Sequence, residues 1–391
     1  MRNKYPALVL ALLLLFLSVA SVLAETPSQA PAVEEIVMEN GNNRLSYPQL
    51  TGLEDAAVQQ LINDDIVLSA DLTSHMITLA TLAPDSLWGL QVSYEACVNE
   101  RVASFVISAE GKMPNNRQGQ TNTPLTYDLQ TGRRLTAADL FTNETEAAQW
   151  LEDEALRTLG EEISDYEDSS TLLPIPLDRF SLDEYGITFW YSPQQFTTIA
   201  GRAGACRFDY DEIRHLLNTA EDALPVTSGL LKPVPDADAQ RLAVHQAAQH
   251  RKLEQLPVTL GEPMTDIVAR YALSRTPDEF PGGRYFAMEH PLFRSIYLIS
   301  DAMQSGYEHS VLEGIQLRRG AFCGLLIGQA RQEEWRQLLG EPAEMITVTE
   351  SMAYDYALPA GNCDIYLIDG CAVRFYADGQ GVLAAVQFEL E

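Results

Sequence analysis

Few residues in this 391-residue chain combine a type and a spacing that could do chemistry. No Gly-x-Ser-x-Gly elbow, His-Glu-x-x-His pair, phosphate-cradling glycine loop or dinucleotide fingerprint occurs. His245 and His250 stand five apart, so a helix does not bring them to one face as the four-residue spacing of a metal pair would. His290 precedes Pro291, has no spaced partner for zinc and reads as a turn residue. Asp236 and Asp238 lack the glycine and terminal glutamate of a calcium loop and suit a helix start. Carboxylates are abundant, but no apolar strand context singles out two of them as an acid–base pair. The expectation is therefore no catalytic residue, no metal ligand and no cofactor.

What remains is aromatic. In residues 187–192 a two-residue period puts Ile187, Phe189 and Tyr191 on one face and Thr188, Trp190 and Ser192 on the other. Trp190 thus points to the polar side, where a large aromatic is a candidate binding anchor; the alternative is that another element covers that face and Trp190 is core. Tyr354 and Tyr356 alternate in the same way and either line an open sheet face or pack between two units. These three are the candidate ligand-binding residues.

Composition bounds the partners. The chain carries 26 Lys+Arg against 55 Asp+Glu, a formal charge of −29. A polyanion needs a basic face to release its counterions, and no run of this sequence supplies one, so nucleic acid is excluded and anionic membrane surfaces are disfavoured. A hydrophobic content of 46% is that of a folded globular protein, and the length suits two or three domains.

The N-terminus points to a compartment. Arg2 and Lys4 precede an apolar run from Ala7 to Leu17, then small residues ending in Val22-Leu23-Ala24, the three parts of a secretory signal peptide over residues 1–24. Cleavage after Ala24 is the simplest reading. Residues 7–24 also just reach spanning length, so an uncleaved anchor is the alternative, and membrane contact is expected only then. Either way the rest of the chain is expected outside the cytoplasm, secreted or in the extracytoplasmic envelope, and loss of Arg2 and Lys4 takes its charge to −31. The five cysteines are odd in number and contain no Cys-x-x-Cys pair. Cys363 and Cys371 flank an Asp369-Gly370 turn whose hairpin register puts them on opposite sheet faces, and a Cys97 to Cys206 bridge has no geometric support.

Residues 25–35 are rich in Pro, Ala and Glu without periodicity and read as a flexible linker. Residues 36–218 read as a first domain. Val58, Leu61, Ile62 and Ile66 have helical spacing; Ala103, Phe105 and Ile107 alternate as on a strand; residues 115–123 make an Asn- and Gln-rich loop. Thr136 with Asp139 resembles a capping box, and Ala147, Leu151, Ala155, Leu159 and Ile163 recur every fourth residue of a longer helix. Residues 180–191 read as a hairpin strand and 208–217 as a closing strand or helix. Residues 219–256 form a connector with a polar helix from about Asp236 to Leu256. Beyond it the chain repeats itself: residues 295–300 return at 364–369, 311–317 at 382–388, and Leu260-Gly261 at Ile327-Gly328. Two repeat units, 257–322 and 323–391, are expected, each a helix followed by an antiparallel meander that leaves an extended face for a partner. The fold class is α+β.

Residues 36–218 resemble the extracellular domain shared by RsiV-type anti-sigma factors, which bind lysozyme, and by the N-terminal part of PdaC-type peptidoglycan deacetylases. The resemblance rests on Tyr47-Pro48 with Gly52, on Ile62-Asn63, and on Tyr127-Asp128 to Gly132 leading into Leu135 and Asp139-Leu140-Phe141. It continues in Phe180-Ser181-Leu182, in residues 186–193, in Ala200-Gly201 and in residues 208–213. It implies an α+β domain that engages an extracellular or cell-wall ligand. An anti-sigma factor needs a cytoplasmic segment ahead of its span, whereas only six residues precede the apolar run here, and a deacetylase needs a metal-binding catalytic domain, which does not follow. Neither signalling nor deacetylation is carried over. The two repeat units resemble helix-plus-meander modules of the β-lactamase-inhibitor-protein and outer-membrane-assembly-lipoprotein type, through Leu326-Ile327-Gly328 followed by residues 335–342. Gly328 breaks the chain before a helix, Trp335 and Leu338 bury its face, and Gly340 and Pro342 end it. This is a likeness of fold and says little about activity. The expectation is a secreted or envelope-associated, non-enzymatic ligand-binding protein whose partner is a basic extracellular protein such as lysozyme, steered by the acidic surface, or a cell-wall glycan. The alternatives are a cell-wall hydrolase and an inhibitor of a secreted enzyme.

Overall fold

A computed structural model describes residues 30–391 apart from 84–88, 113–117, 165–168, 196–203, 275–277, 281–282, 289–292, 294, 303–305 and 357. The leader, the first five residues of the linker and His290 lie outside the described residues. The rest is an α+β arrangement of mixed helices and sheets.

The first region opens with β1 (Ala32–Asn40) and β2 (Asn43–Thr51), a hairpin turned at Gly41. Helix α1 (Ala56–Ser69) starts where the Asp55 carboxylate accepts from Ala57 N at 2.8 Å, and α2 (Leu72–Thr81) follows. Strands β3 (Gly89–Val98), β4 (Val102–Lys112) and β5 (Gln118–Asp128) complete a sheet in the order β1-β2-β3-β4-β5, with only β2 and β3 parallel. Alternation sends Leu45, Phe105, Ile107 and Tyr127 inward to meet Ile62 and Ile66 of α1 and Leu72 and Leu79 of α2. Two expectations fail here. Residues 32–35 of the expected linker belong to β1, whose Val33, Ile36 and Met38 pack on this core while the acidic residues between them face out. Residues 118–123, expected as a loop, belong to β5, and their polar content reflects a sheet-to-sheet contact: Asn122 is buried, with its Oδ1 accepting from Ser108 Oγ at 2.8 Å and its carbonyl from Arg179 Nη2 at 2.7 Å.

Helix α3 (Glu144–Ser164) buries Ala147, Leu151 and Ala155 against a three-stranded antiparallel sheet of β6 (Phe180–Leu182), β7 (Gly186–Trp190) and β8 (Ala205–Asp209). The short helices α4 (Tyr210–Ile213) and α5 (Leu224–Thr227) close the region. The other face of this small sheet lies on β4 and β5: Leu182 N donates to Ser104 Oγ at 2.7 Å, and Thr126 Oγ1 donates to the Phe180 carbonyl at 3.0 Å.

The second region begins with α6 (Ala237–His250), capped by Asp236, then α7 (Met264–Arg270), β9 (Asp278–Phe280), β10 (Gly283–Ala287), β11 (Ile296–Ser300) and β12 (Gly314–Leu317). After the small hairpin β13 (Ala321–Phe322) and β14 (Leu325–Leu326) come α8 (Gln332–Leu339), β15 (Glu344–Val348), α9 (Glu350–Tyr356), β16 (Gly361–Ile368), β17 (Cys371–Ala377) and β18 (Leu383–Leu390). Eight strands form one antiparallel sheet in the order β15-β16-β17-β18-β12-β11-β10-β9. One face, with Phe286, Leu298, Phe375 and Phe388, buries against α6, α7 and α8 through Val244, Ile267 and Trp335. The polar helix α6 is thus part of this core and not a connector: Val244, Ala247 and Ala248 form a narrow apolar stripe, continued by Leu253 and Leu256.

Contacts recur across the sheet. Gly261 and Gly328 have φ of 87° and 85°, and their N–H groups donate to the carbonyls of Leu312 and Leu383, both at 2.7 Å. Pro263 bridges Val311 as Arg331 bridges Val382. The match of residues 295–300 to 364–369 does not follow this pattern, because β11 neighbours β12 whereas β16 lies two strands from β18. Its phase is also inverted: Leu298 is buried on the helix face while Leu367 is 53% exposed, and Tyr366 rather than its neighbour enters the core. A shared Ile-Tyr-Leu-Ile string suits a half-buried strand in either phase.

Candidate functional site

The other face of the eight-stranded sheet carries the chemistry. Strand alternation sends Tyr285, Tyr297, Gln316, Arg318, Arg374 and Gln387 away from the helices. Phe280 and Tyr285 lie with centroids 4.7 Å apart and planes tilted by 36°, Tyr285 and Tyr297 meet edge to face at 6.3 Å, and the Arg318 guanidinium lies 4.4 Å over the Tyr297 ring. A polar row crosses the middle of the face. Arg318 Nε donates to Gln316 Oε1 at 2.6 Å, Gln316 Nε2 to Gln387 Oε1 at 3.3 Å, Gln387 contacts Glu389, and Arg374 Nε pairs with Glu389 at 3.3 Å. Burial raises the Glu389 carboxyl above its usual range despite the opposing pull of Arg374.

Helix α9 crosses this face. Met352 and Ala353 pack with Val348, Cys363 and Ile365 at the β15 end of the sheet, while Tyr285 Oη donates to the Tyr356 carbonyl at 2.9 Å and the Tyr356 ring lies 6.1 Å from Phe280 at the β9 end. One helix of two turns reaches both edges, so the sheet is curled around this face. The result is a concave face on which Phe280, Tyr297, Arg318 and Tyr356 are half-buried, whereas Tyr285 and Gln316 are 2% and 0% exposed and belong to the interior. Burial pushes the Cys363 thiol on this face up to about 12.

Tyr354 and Tyr356 therefore sit on a helix and not on a strand. Two positions apart on a helix turn side chains about 200° from one another. Tyr356 joins the aromatic row, whereas Tyr354 points away and is 87% exposed. Trp190 is not a surface anchor: only 5% exposed, it packs with Val106 and Ala205 between the two sheets of the first region and donates Nε1 to Ser181 Oγ at 2.8 Å. Tyr285, Tyr297 and Arg318 were not legible as a group, because three strands of one curled sheet bring them together. The cysteines follow their expected register, Ile368 opposite Cys371, with Cys363 and Cys371 in clusters on opposite faces.

A second concavity, of about 540 Å³, opens between the two regions, walled by Tyr185, Arg207 and Asp209 on one side and Lys252, Tyr271 and Arg319 on the other. Arg207 Nη2 pairs with Asp183 at 3.0 Å and its Nε with Asp209 at 3.3 Å; Arg319 Nε pairs with Glu212 at 2.8 Å and its guanidinium lies 4.9 Å over Phe208. Gly320 is needed beside it, with φ of 80° and a position where a Cβ would stand 2.6 Å from Asp209 Oδ2. Burial, helped by the charge of Glu212, pushes Asp209 up to about 6 against the pull of Arg207 and Arg319. A raised carboxyl in a cleft is a common mark of acid–base chemistry, but this one is engaged by Arg207 and by the capping box at the start of α4. A third groove, of about 510 Å³ on the first region's sheet, is lined by Glu35, Arg44, Ser46, Gln91, Ser93 and Tyr94, with Glu35 held below its usual range, chiefly by its hydrogen bond from Ser46. Among the described residues no three His, Cys, Asp or Glu side chains are grouped to hold a metal ion, and no helix is long and apolar enough to cross a membrane.

No family model matches the chain, and no curated protein does. Among solved structures it is similar to a DUF3298-family protein of Bacteroides fragilis, at 16% identity and a TM-score of 0.41, covering 53% of this chain and 100% of that one. A DUF3298-family protein of Pseudomonas aeruginosa is 11% identical with a TM-score of 0.34, over 50% of this chain and 96% of that one. A DUF4309-family protein of Bacillus subtilis is 13% identical with a TM-score of 0.24, over 40% of this chain and 97% of that one.

Proposed function

We propose that the chain is a secreted or envelope-associated, non-enzymatic binding protein that engages its partner through the concave face of the second region. The observation that carries this reading is the half-buried set Phe280, Tyr297 and Tyr356, with Arg318 over the Tyr297 ring, backed by the buried ring of Tyr285 on a curled sheet. Aromatic and arginine side chains held in place by their neighbours are what concentrates binding energy at interfaces. The recurring contacts of Gly261 and Gly328 support reading the second region as two copies of one helix-plus-meander module joined edge to edge. The partner is a basic extracellular protein of the lysozyme kind, favoured by the charge of −29 and by the RsiV/PdaC-like motifs of the first region, or else a cell-wall glycan stacked on the rings. Retention of the chain without residues 1–24 on immobilised lysozyme and on purified peptidoglycan, across a salt series, tests the proposal. A basic protein partner gives binding that falls steeply with salt, and a glycan gives binding that does not. Retention on neither at low salt refutes the proposal, and turnover of the wall polymer replaces it with a hydrolase.

A further inference from the structure

We propose that the split between β2 and β3 in the first region takes up an extended, basic segment of a partner protein as an added strand on β3. This groove is separate from the concave face of the second region, so the inference does not rest on that reading. It has a volume of about 510 Å³ and is lined by Val33 and Glu35 of β1, Arg44 and Ser46 of β2, and Tyr94 and Ala96 of β3. The two strands pair in parallel only at Arg44 with Gln91 and Leu45 with Val92. The cause is in the sequence: continuing the ladder needs an N–H donor at residue 48, which is Pro48.

The two walls of the split differ. Peptide groups of successive strand residues point to alternate sides, and Leu90 N donates to Asn43 Oδ1 at 2.8 Å. The N–H and C=O groups of Leu90, Val92, Tyr94 and Ala96 therefore face β2, and those of the residues between them face β4. On the β2 wall the groups beyond Pro48 are closed: Asn63 Oδ1 accepts from Leu50 N at 2.8 Å, and Asn63 Nδ2 donates to the Leu50 carbonyl at 2.9 Å. On the β3 wall, among the described residues, Tyr94 and Ala96 have no such cap and no backbone hydrogen bond on the groove side. Both line the groove, Ala96 exposed and Tyr94 half-buried, so this edge borders open space. An unpaired strand edge is a template for a further strand, and strand addition is a recurring mode of peptide recognition. The charge of the incoming strand follows from the rim, where exposed Glu35, Glu39 and Glu95 surround the Arg44 guanidinium, which lies 3.1 Å from Glu35 and 3.8 Å from Glu39. Three carboxylates to this one cation favour lysine or arginine on the segment that enters. A second copy of the chain, itself at −29, brings like charge to that rim.

The test is calorimetric titration of the full chain without its leader with three capped hexapeptides, in which lysine alternates with valine, threonine or tyrosine, joined to residue-resolved hydrogen exchange. At least one peptide is expected to bind one-to-one and to slow exchange at the Tyr94 and Ala96 amides, which exchange freely in the peptide-free chain. Methylating every second peptide nitrogen is expected to weaken binding about tenfold in one phase and not in the other, because only one edge of an added strand meets β3. Glutamate in place of lysine is expected to weaken it at least about tenfold at low salt. Ala96→Pro removes a groove-side donor without touching the β4 ladder and is expected to abolish binding with the melting temperature kept. Ala96→Arg, which adds bulk and like charge at an exposed position, is expected to weaken it about tenfold. Absence of binding by all three peptides, binding that ignores the phase of methylation, unchanged exchange at Tyr94 and Ala96, or full binding by both Ala96 variants each overturns the proposal. Dimerisation of the chain that the peptides block assigns the groove to a second copy and overturns it as well.

Discussion

Arg319→Met is the substitution with the sharpest expected consequence. Arg319 leaves the second region after β12 and pairs with Glu212 of the first at 2.8 Å, both side chains being 10% exposed. Burial works to lower the Arg319 pKa, but the charge and hydrogen bond of Glu212 outweigh it and hold the guanidinium above its ordinary value. Methionine fills most of the volume and leaves Glu212 buried with its charge uncompensated, a situation that costs about 3–5 kcal/mol. Glu212 keeps one hydrogen bond, from Asp209 N at 2.9 Å, which places the expected loss at the lower end, about 3 kcal/mol. For a region of 150–250 residues this corresponds to a fall in melting temperature of roughly 6–12 °C. Adding Glu212→Gln removes the orphaned charge while preserving the contact to Asp209 N, so the double variant recovers more than half of the loss. Scanning calorimetry of the wild type, both single variants and the double variant gives the full cycle. Because the pair joins the two regions, Arg319→Met is also expected to separate one transition into two. A loss below about 1 kcal/mol, as for an exposed ion pair, or a double variant as unstable as the sum of the singles, would refute the reasoning.

Other expectations concern single features. Asp364, whose side chain is 1% exposed, accepts from Trp335 Nε1 at 3.0 Å and from Arg336 at 2.8 and 2.7 Å; Asp364→Asn is expected to cost about 3 kcal/mol in urea unfolding. Burial works to raise the Asp364 pKa, but hydrogen bonds from Arg336, Gln332 and Trp335 leave it lowered, so its stabilisation is complete above the unfolded-state value and fades as the pH falls through the folded one. The variant should therefore flatten the acid limb of a stability–pH curve. Gly261→Ala and Gly328→Ala should each cost about 1–2 kcal/mol, in equal measure, since both adopt a left-handed backbone and neither Cβ meets a close neighbour. Trp190→Phe should lower stability by about 1–3 kcal/mol, leaving Ser181 without its indole partner, and should leave partner retention unchanged because the ring is interior.

How far the fold was legible depends on how widely each element's partners are spread. The four-residue period of Ala147, Leu151 and Ala155, the Thr136 and Asp139 box, and the hairpin register around Asp369-Gly370 are local patterns, and all three are present. Strands β1 and β5 were hidden because one half of their residues face solvent or a polar sheet contact, which reads as tether or loop. Helix α6 hid a narrow apolar stripe in a polar segment. The string shared by β11 and β16 misled because a strand's pattern does not declare its phase, so Tyr297 and Tyr366 face opposite ways. Trp190 looked like an anchor because alternation reveals a face but not what covers it; β4 covers it. The aromatic row was beyond local reading, since Phe280, Tyr285, Tyr297 and Tyr356 come from three strands and a helix that only the curl of the sheet unites.

A hydrogen-exchange footprint taken with the partner that the retention experiment identifies tests the central proposal most directly. Binding on the concave face protects the amides of β10, β11 and α9 and leaves α1 and α2 unchanged. Protection confined to the groove of Glu35, Arg44 and Ser46, with none in β10, β11 or α9, would contradict it.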